Sequence, residues 1–281
     1  MAPSTSNHRP DAPDKARAFR ALHQRPGAFI IPNPWDVGSA RILAHLGFEA
    51  LATTSAGFAF SVGQQDNTIG RDRMLAHVAE IVAATDLPVS ADLENGFADD
   101  PDGVASTIRL AGATGLAGGS IEDSTGRADT PVYDFGHAVD RVRAAVEAAR
   151  ALPQPFVLTA RAENHLVGRP DLKDTIKRLQ AYQAAGADVL YAPGLVSEQD
   201  IAAVVSSLDR PVNVLMGMAG VPHTLASLSR LGVRRVSVGG ALARAALGGL
   251  LRAAREMREH GSFTFTGEAA SFREISEMFK R

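Results

Sequence analysis

Three acidic residues occupy positions where their chemistry depends on one another: Asp92 and Glu94 in the run Ala-Asp-Leu-Glu-Asn-Gly, and Glu122 in Ile-Glu-Asp. Each follows a short apolar run, so each is expected at the end of a β-strand. Residues two apart on an extended backbone point the same way, which would set the carboxylates of Asp92 and Glu94 side by side. Like charges so placed repel unless a cation lies between them. Hard oxygen donors that leave positions open for a substrate suit Mg²⁺, with Mn²⁺ a second choice, and Asp92, Glu94 and Glu122 are the candidate ligands. The plainer alternative is that such an acid caps the next helix or faces solvent.

Arg161 follows another apolar run, Leu-Thr-Ala. A guanidinium there could grip a substrate carboxylate in bidentate fashion, or form an internal salt bridge to Glu94 or Glu122. Thr54, Ser55, Ala56 and Gly57 offer hydroxyls and backbone amides suited to a carboxylate or a developing oxyanion, although Gly, Ser and Thr are also ordinary turn material. Asp66 lies in a loop long enough to form a lid and could meet a metal through water, which with Glu122 and Arg161 completes the candidate catalytic set. Trp35, the single tryptophan, is a candidate pocket wall, Asp36 a helix cap and Asn213 a substrate contact. The Val-Ser-Val-Gly-Gly turn ending at Gly240 could seat a phosphate. The 8 histidines show no spacing typical of a zinc site.

Elements that would position these residues are visible along the chain. Apolar runs at 29–32, 50–53, 89–92, 118–121, 156–160, 189–191, 211–215 and 235–238 read as strands, separated by helical periodicity as at 71–84, 138–151 and 172–185. Several helices end in a glycine turn (Leu-Gly-Phe, Ala-Gly-Ala, Leu-Gly-Val) that launches the next strand. The fold class is therefore α/β, a (β/α)₈ TIM barrel over 14–260. It is preceded by a disordered lead-in at 1–13, with a short amphipathic helix from 14 to 23, and followed by a tail at 261–281. The tail's apolar positions need cover from the barrel or from a neighbouring subunit.

Composition removes several function classes. A chain of 281 residues with net charge −2 carries no basic field for nucleic acid or an anionic membrane, and no apolar run is long enough to span a bilayer. The absence of cysteine excludes disulfides, thiolate ligands and cysteine nucleophiles. With no apolar leader visible, a soluble cytoplasmic protein is expected.

Together, Ala-Asp-Leu-Glu-Asn-Gly-Phe, Ile-Glu-Asp, Thr-Ala-Arg-Ala-Glu-Asn and Thr-Ser-Ala-Gly-Phe-Ala-Phe-Ser-Val-Gly-Gln-Gln-Asp, in their observed spacing, resemble the isocitrate lyase and phosphoenolpyruvate mutase superfamily over 29–249. The resemblance implies a Mg²⁺-binding barrel acting on an α-oxo-carboxylate or its enolate, assembled as a homodimer or homotetramer with the eighth helix exchanged between subunits. It implies that Asp92 anchors the metal, that Glu94 takes the second acidic position, and that Glu122 is the acid of the Glu-Asp strand end. Arg161 would bind the carboxylate or oxyanion, Asp66 would be the loop acid, and Thr54, Ser55 and Ala56 would hold the oxo-acid carboxylate. The loop after Glu122 departs from the lyase pattern, having neither its cysteine nor its lysine, and the mutase loop is also missing. The chain thus resembles cysteine-free, oxaloacetate decarboxylase-like and 2-methylisocitrate lyase-like members. A metal-dependent carbon–carbon lyase or decarboxylase for a small oxo- or hydroxy-carboxylate is expected, with Tyr133, Tyr191, His165 or a metal-bound water as proton donor. Phosphorus–carbon chemistry of the phosphonopyruvate type, or oxo-acid binding with little turnover, remain the alternatives.

Overall fold

The computed structural model describes residues 11–280. Its eight strands are β1 (Phe29–Ile31), β2 (Leu51–Ala52), β3 (Val89–Asp92), β4 (Gly118–Glu122), β5 (Val157–Arg161), β6 (Val189–Tyr191), β7 (Val212–Leu215) and β8 (Arg235–Ser237). All pair in parallel in the order β1-β8-β7-β6-β5-β4-β3-β2. The ring closes where the Ala52 amide donates to the Pro32 carbonyl at 3.0 Å. The expected (β/α)₈ barrel is the observed fold.

The connecting helices are α2 (Val37–His45), α3 (Ser55–Ser61), α4 (Arg71–Ala84), α5 (Pro101–Ala113), α6 (Phe135–Arg150), α7 (Leu172–Ala185), α8 (Glu198–Ser206), α9 (Leu225–Arg230) and α10 (Ala241–His260). Capping residues explain where several start: Asp36 forms a capping box with Ser39 on α2, Thr54 caps α3 and Asp171 caps α7. α7 stops at Gly186, whose φ of 107° favours glycine. The first helix, α1 (Ala12–Gln24), begins before the expected 14, because Asp11 accepts from the Asp14 amide and caps it. Most of the proposed lead-in lies outside the described residues.

Strand alternation divides the barrel wall in two. Outward positions such as Leu93, Ile121, Leu158, Leu190 and Val236 pack with the helices in the main apolar core. Inward positions are layered. At the strand starts, Phe29, Ala50, Ala117, Val157 and Val189 form an apolar cluster with Ala16, Phe19 and Leu22 of α1, which plugs that end. The next inward positions are polar on several strands, as at Ser90, Ser120, Thr159 and Asn213, with Ile31 and Ala52 remaining apolar, and the layer opens toward the strand ends. In the tail, α11 (Phe272–Met278) packs on α2, while Phe263 and Phe272 remain exposed, as do Leu250 and Leu251 of α10. Among the described residues no helix is long and apolar enough to cross a membrane.

Candidate active site

At the C-terminal ends of the strands lies a cavity of about 330 Å³, bordered by Thr54, Ser55, Ala56, Asp66, Asp92, Glu122, Arg161 and Asn213. A shallower groove of about 660 Å³ adjoins it, bordered by Glu94, Asn95, Arg71 and Arg73 and sharing Glu122. Nine of the candidate residues therefore border connected space, as these two sets show. Trp35 and Gly57 do not border either one. Gly57 sits so close to Trp35 and Thr54 that an added Cβ would come within 2.8 Å of the former and 2.6 Å of the latter, so its smallness serves packing.

Arg161 is the centre of the cluster. Its Nη1 lies 2.9 Å from Asp92 Oδ1, its Nη2 3.0 Å from Glu122 Oε2 and its Nε 2.8 Å from Glu163 Oε1. The guanidinium also stands over the Tyr191 ring, 5.2 Å from its centroid. The cation between the expected acids is thus, in this structure, the arginine itself, and the internal salt bridge joins it to Glu122 rather than Glu94. Burial opposes its charge, but the three carboxylates keep Arg161 protonated far beyond neutrality. Glu163 is a site residue that the sequence reading missed; its place two residues after Arg161 on a strand end was the available signal.

Asp92 is held in place by more than Arg161. Its Oδ2 accepts from the Ser55 amide at 3.2 Å and from the Ser55 hydroxyl at 3.0 Å. Thr54 uses its hydroxyl to accept from the Gly57 amide, which is a helix cap at the cavity wall. Asp66, on the exposed loop before α4, has its carboxyl raised by burial and by the Asp92 charge, with a hydrogen bond from Ser55 opposing.

Glu94 does not follow the expected geometry. The strand ends at Asp92, and Glu94 takes a left-handed backbone with φ 49°, so Asp92 and Glu94 do not share a strand face. Its side chain instead reaches the groove, where Oε1 is buried without a hydrogen-bond partner. Burial, with the charges of Asp92 and Asp66, pushes the Glu94 carboxyl up to about 8. Burial likewise raises Glu122 and Glu163, against the pull of Arg161. Among the described residues no three His, Asp or Glu side chains converge as a preassembled metal cluster. The donor chemistry nonetheless fits a hard divalent cation: Asp92, Glu122 and Glu163 share a single guanidinium, Asp66 and Glu94 add their charges nearby, and one buried carboxylate oxygen has no partner.

Other candidates separate cleanly. Tyr191 borders the cavity, whereas the Tyr133 hydroxyl donates to Asp99 and His165 borders neither space. Asn213 is already bonded to Ser237 and Arg235 deep in the barrel. In the turn after β8, the Val238 and Gly239 amides both donate to Asn33 Oδ1 at 2.9 Å, so they are not free to seat a phosphate.

Comparison with known proteins agrees with this architecture. The family model described as phosphoenolpyruvate phosphomutase matches residues 19–258. A Burkholderia cenocepacia J2315 protein, provisionally assigned as a lyase/mutase, has a solved structure with 64% identity and TM-score 0.94, covering 96% of this chain and 97% of that one. The oxaloacetate decarboxylase of Pseudomonas aeruginosa is 30% identical over 98% of this chain and 93% of its own length. A solved 2,3-dimethylmalate lyase is 27% identical with TM-score 0.83, covering 94% of each chain.

Proposed function

The chain belongs to the phosphoenolpyruvate phosphomutase family, and from that membership we propose that it is a Mg²⁺-dependent carbon–carbon lyase. The substrate class is a small α-oxo or 2-hydroxy di- or tricarboxylate, cleaved through an enolate, with oxaloacetate decarboxylation the simplest version. One observation carries the reading: three carboxylates share one guanidinium at the cavity mouth, Asp66 and Glu94 add their charges nearby, and the buried Glu94 Oε1 has no partner. Such a cluster lacks positive charge, and a metal with an anionic substrate supplies the missing partners together.

Held by Asp92, Glu94 and Glu122, Mg²⁺ would place positive charge opposite the oxyanion that forms as the bond breaks. Arg161 is kept charged and oriented by Asp92, Glu122 and Glu163, so its guanidinium is fixed before a substrate carboxylate arrives. Ser55 holds Asp92 by amide and hydroxyl, which fixes the acid at the end of β3. Tyr191 keeps its proton, since burial pushes the phenol up to about 12, and it is the proton-donor candidate that borders the cavity. The exposed apolar residues of α10 and the tail support assembly with a second copy.

The test is release of pyruvate or glyoxylate from a panel of oxo-acids, hydroxy-acids and phosphonates, with and without Mg²⁺. Asp92→Ala is expected to lose metal-dependent turnover by at least ~10³-fold. Unchanged product release by that variant, or by wild type stripped of divalent cations, would refute the reading. Phosphonopyruvate as the preferred substrate would replace it with phosphorus–carbon chemistry.

A further inference from the structure

The cavity has a floor whose charge is opposite to that of its mouth. Arg235, the first residue of β8, points into the barrel, is 4% exposed and borders the cavity. Its Nε donates to Asn213 Oδ1 at 3.0 Å and its Nη2 to Thr159 Oγ1 at 3.0 Å. Its Nη1 lies 3.4 Å from His23 Nε2, and His23 Nδ1 sits 2.8 Å from the Phe19 carbonyl. A neutral imidazole with the proton on Nδ1 satisfies both contacts, donating to the carbonyl and accepting from the guanidinium. Every partner of Arg235 is therefore neutral. Among the described residues no carboxylate lies within salt-bridge distance of it.

A guanidinium has five N–H donors, and these contacts use three of them. Buried charge without a counter-ion is costly, and burial lowers Arg235 to about 10. The residues around it also leave room. Barrel interiors are normally filled by bulky branched side chains, whereas the cavity wall here carries Ser90, Ser120, Asn213 and Ser237. Thr159, which touches Arg235, is two residues before Arg161 on β5, so about 7 Å of strand separates the two levels. That separation is within the reach of a small dicarboxylate.

We propose that Arg235 is the receptor for a second substrate carboxylate, one that the reaction leaves intact, so that the substrate is a dicarboxylate spanning the cavity from mouth to floor. The assignment deepens the lyase reading and rests on it for the reaction, but not for the binding. A carboxylate paired with Arg235 is unsuited to leave as CO₂. Its charge would pass out of the group during bond cleavage, so the ion pair would hold the ground state more tightly than the transition state. Within the lyase reading the floor therefore selects cleavage of a carbon–carbon bond lying between the two held carboxylates, both retained in products, over the loss of either as CO₂.

Calorimetric titration of the full-length protein with succinate and with butyrate tests the binding directly, in the presence of Mg²⁺. The two probes have the same carbon count and differ by one carboxylate. Wild type is expected to bind succinate at least ~10-fold more tightly, as for a charge-assisted pair in a buried site. Arg235→Met is expected to bring succinate down to the butyrate level while leaving pyruvate binding unchanged. Should that variant fail to fold, Asn213→Asp supplies a built-in carboxylate partner for Arg235, and it too is expected to abolish the succinate preference. Equal affinity of wild type for both probes overturns the proposal, as does an undiminished preference in a folded Arg235→Met or Asn213→Asp protein. No turnover enters the measurement. Absence of product release with the succinate preference intact would overturn the lyase reading alone.

Discussion

Glu122 and Asp123 are neighbours in the chain, and strand alternation sends their side chains to opposite sides of the barrel wall. On the outer side Asp123 is surrounded by donors: the Glu163 amide at 2.8 Å on Oδ1, and the Tyr182 hydroxyl at 2.6 Å and Arg178 Nη1 at 3.1 Å on Oδ2. Arg178 is satisfied in turn by Asp174 and by the Tyr133 carbonyl. On the inner side Glu122 has Arg161 Nη2, and that guanidinium also serves Asp92 and Glu163. Burial raises both carboxyls. Only Asp123 has several donors of its own to offset it. Two buried acids one residue apart thus show what separates scaffold from site: a scaffold charge is matched by the fold, while a site charge is left for a ligand to match.

The sharpest way to break this comparison is to remove both acids in turn. Asp123→Ala strands Arg178 and Tyr182 in a buried position, so a loss of about 3–5 kcal/mol is expected in denaturant unfolding. Glu122→Gln removes one charge from an over-acidic cluster and is expected to leave the ligand-free protein equally or more stable, while kcat falls by ~10²-fold or more. A Glu122→Gln protein destabilised as strongly as Asp123→Ala would show that the inner cluster is scaffold as well.

The outline of this contrast was legible in the sequence, and its reasons show where such reading stops. Strand ends could be located because short apolar runs bounded by turn residues have few other readings, and Asp92, Glu122 and Arg161 follow from them. Partner choice could not be read. Whether Arg161 meets Glu94 or Glu122 depends on a backbone that leaves the extended region after Asp92, giving Glu94 a φ of 49°. Gly57 read as part of a carboxylate-binding loop because nothing in the chain order shows that Trp35 and Ala243 close around it. Arg235 was invisible for the opposite reason, since an arginine opening a strand ordinarily reads as a solvated end rather than the floor of a barrel.

The same rule, that a buried group is stable only in the charge state the fold matches, extends to the far end of the barrel. Burial, then the nearby Arg235 charge, lowers His23 to about 3 from an ordinary 6.5, so the folded protein holds it neutral. A lowered folded pKa means that protons bind the unfolded chain more readily. Stability from this group is therefore complete above pH 6.5 and lost as pH falls from there toward 3. Between pH 7 and 5 the loss is about 2 kcal/mol. A His23→Gln protein compared with wild type at both pH values should lack that increment. An equal pH dependence in the two proteins would show that the buried environment of His23 is not what sets it.

Thr54 offers the smallest effect and the finest test, because it belongs to both sides of the comparison. It borders the cavity, yet its hydroxyl accepts from the Gly57 amide and so caps α3. If the hydroxyl acts only as a cap, Thr54→Ala costs about 1 kcal/mol in stability, and Thr54→Ser restores it. kcat/KM should then stay within about threefold of wild type in both variants, since a lost cap frays the first turn of α3 without removing a ligand contact. A ~10²-fold fall in kcat/KM for Thr54→Ala, with stability unchanged, would place the hydroxyl on the substrate instead. The two outcomes differ because the cap uses only a lone pair of the hydroxyl, which accepts from the Gly57 amide, whereas a substrate carboxylate would accept the hydroxyl proton that the cap does not use.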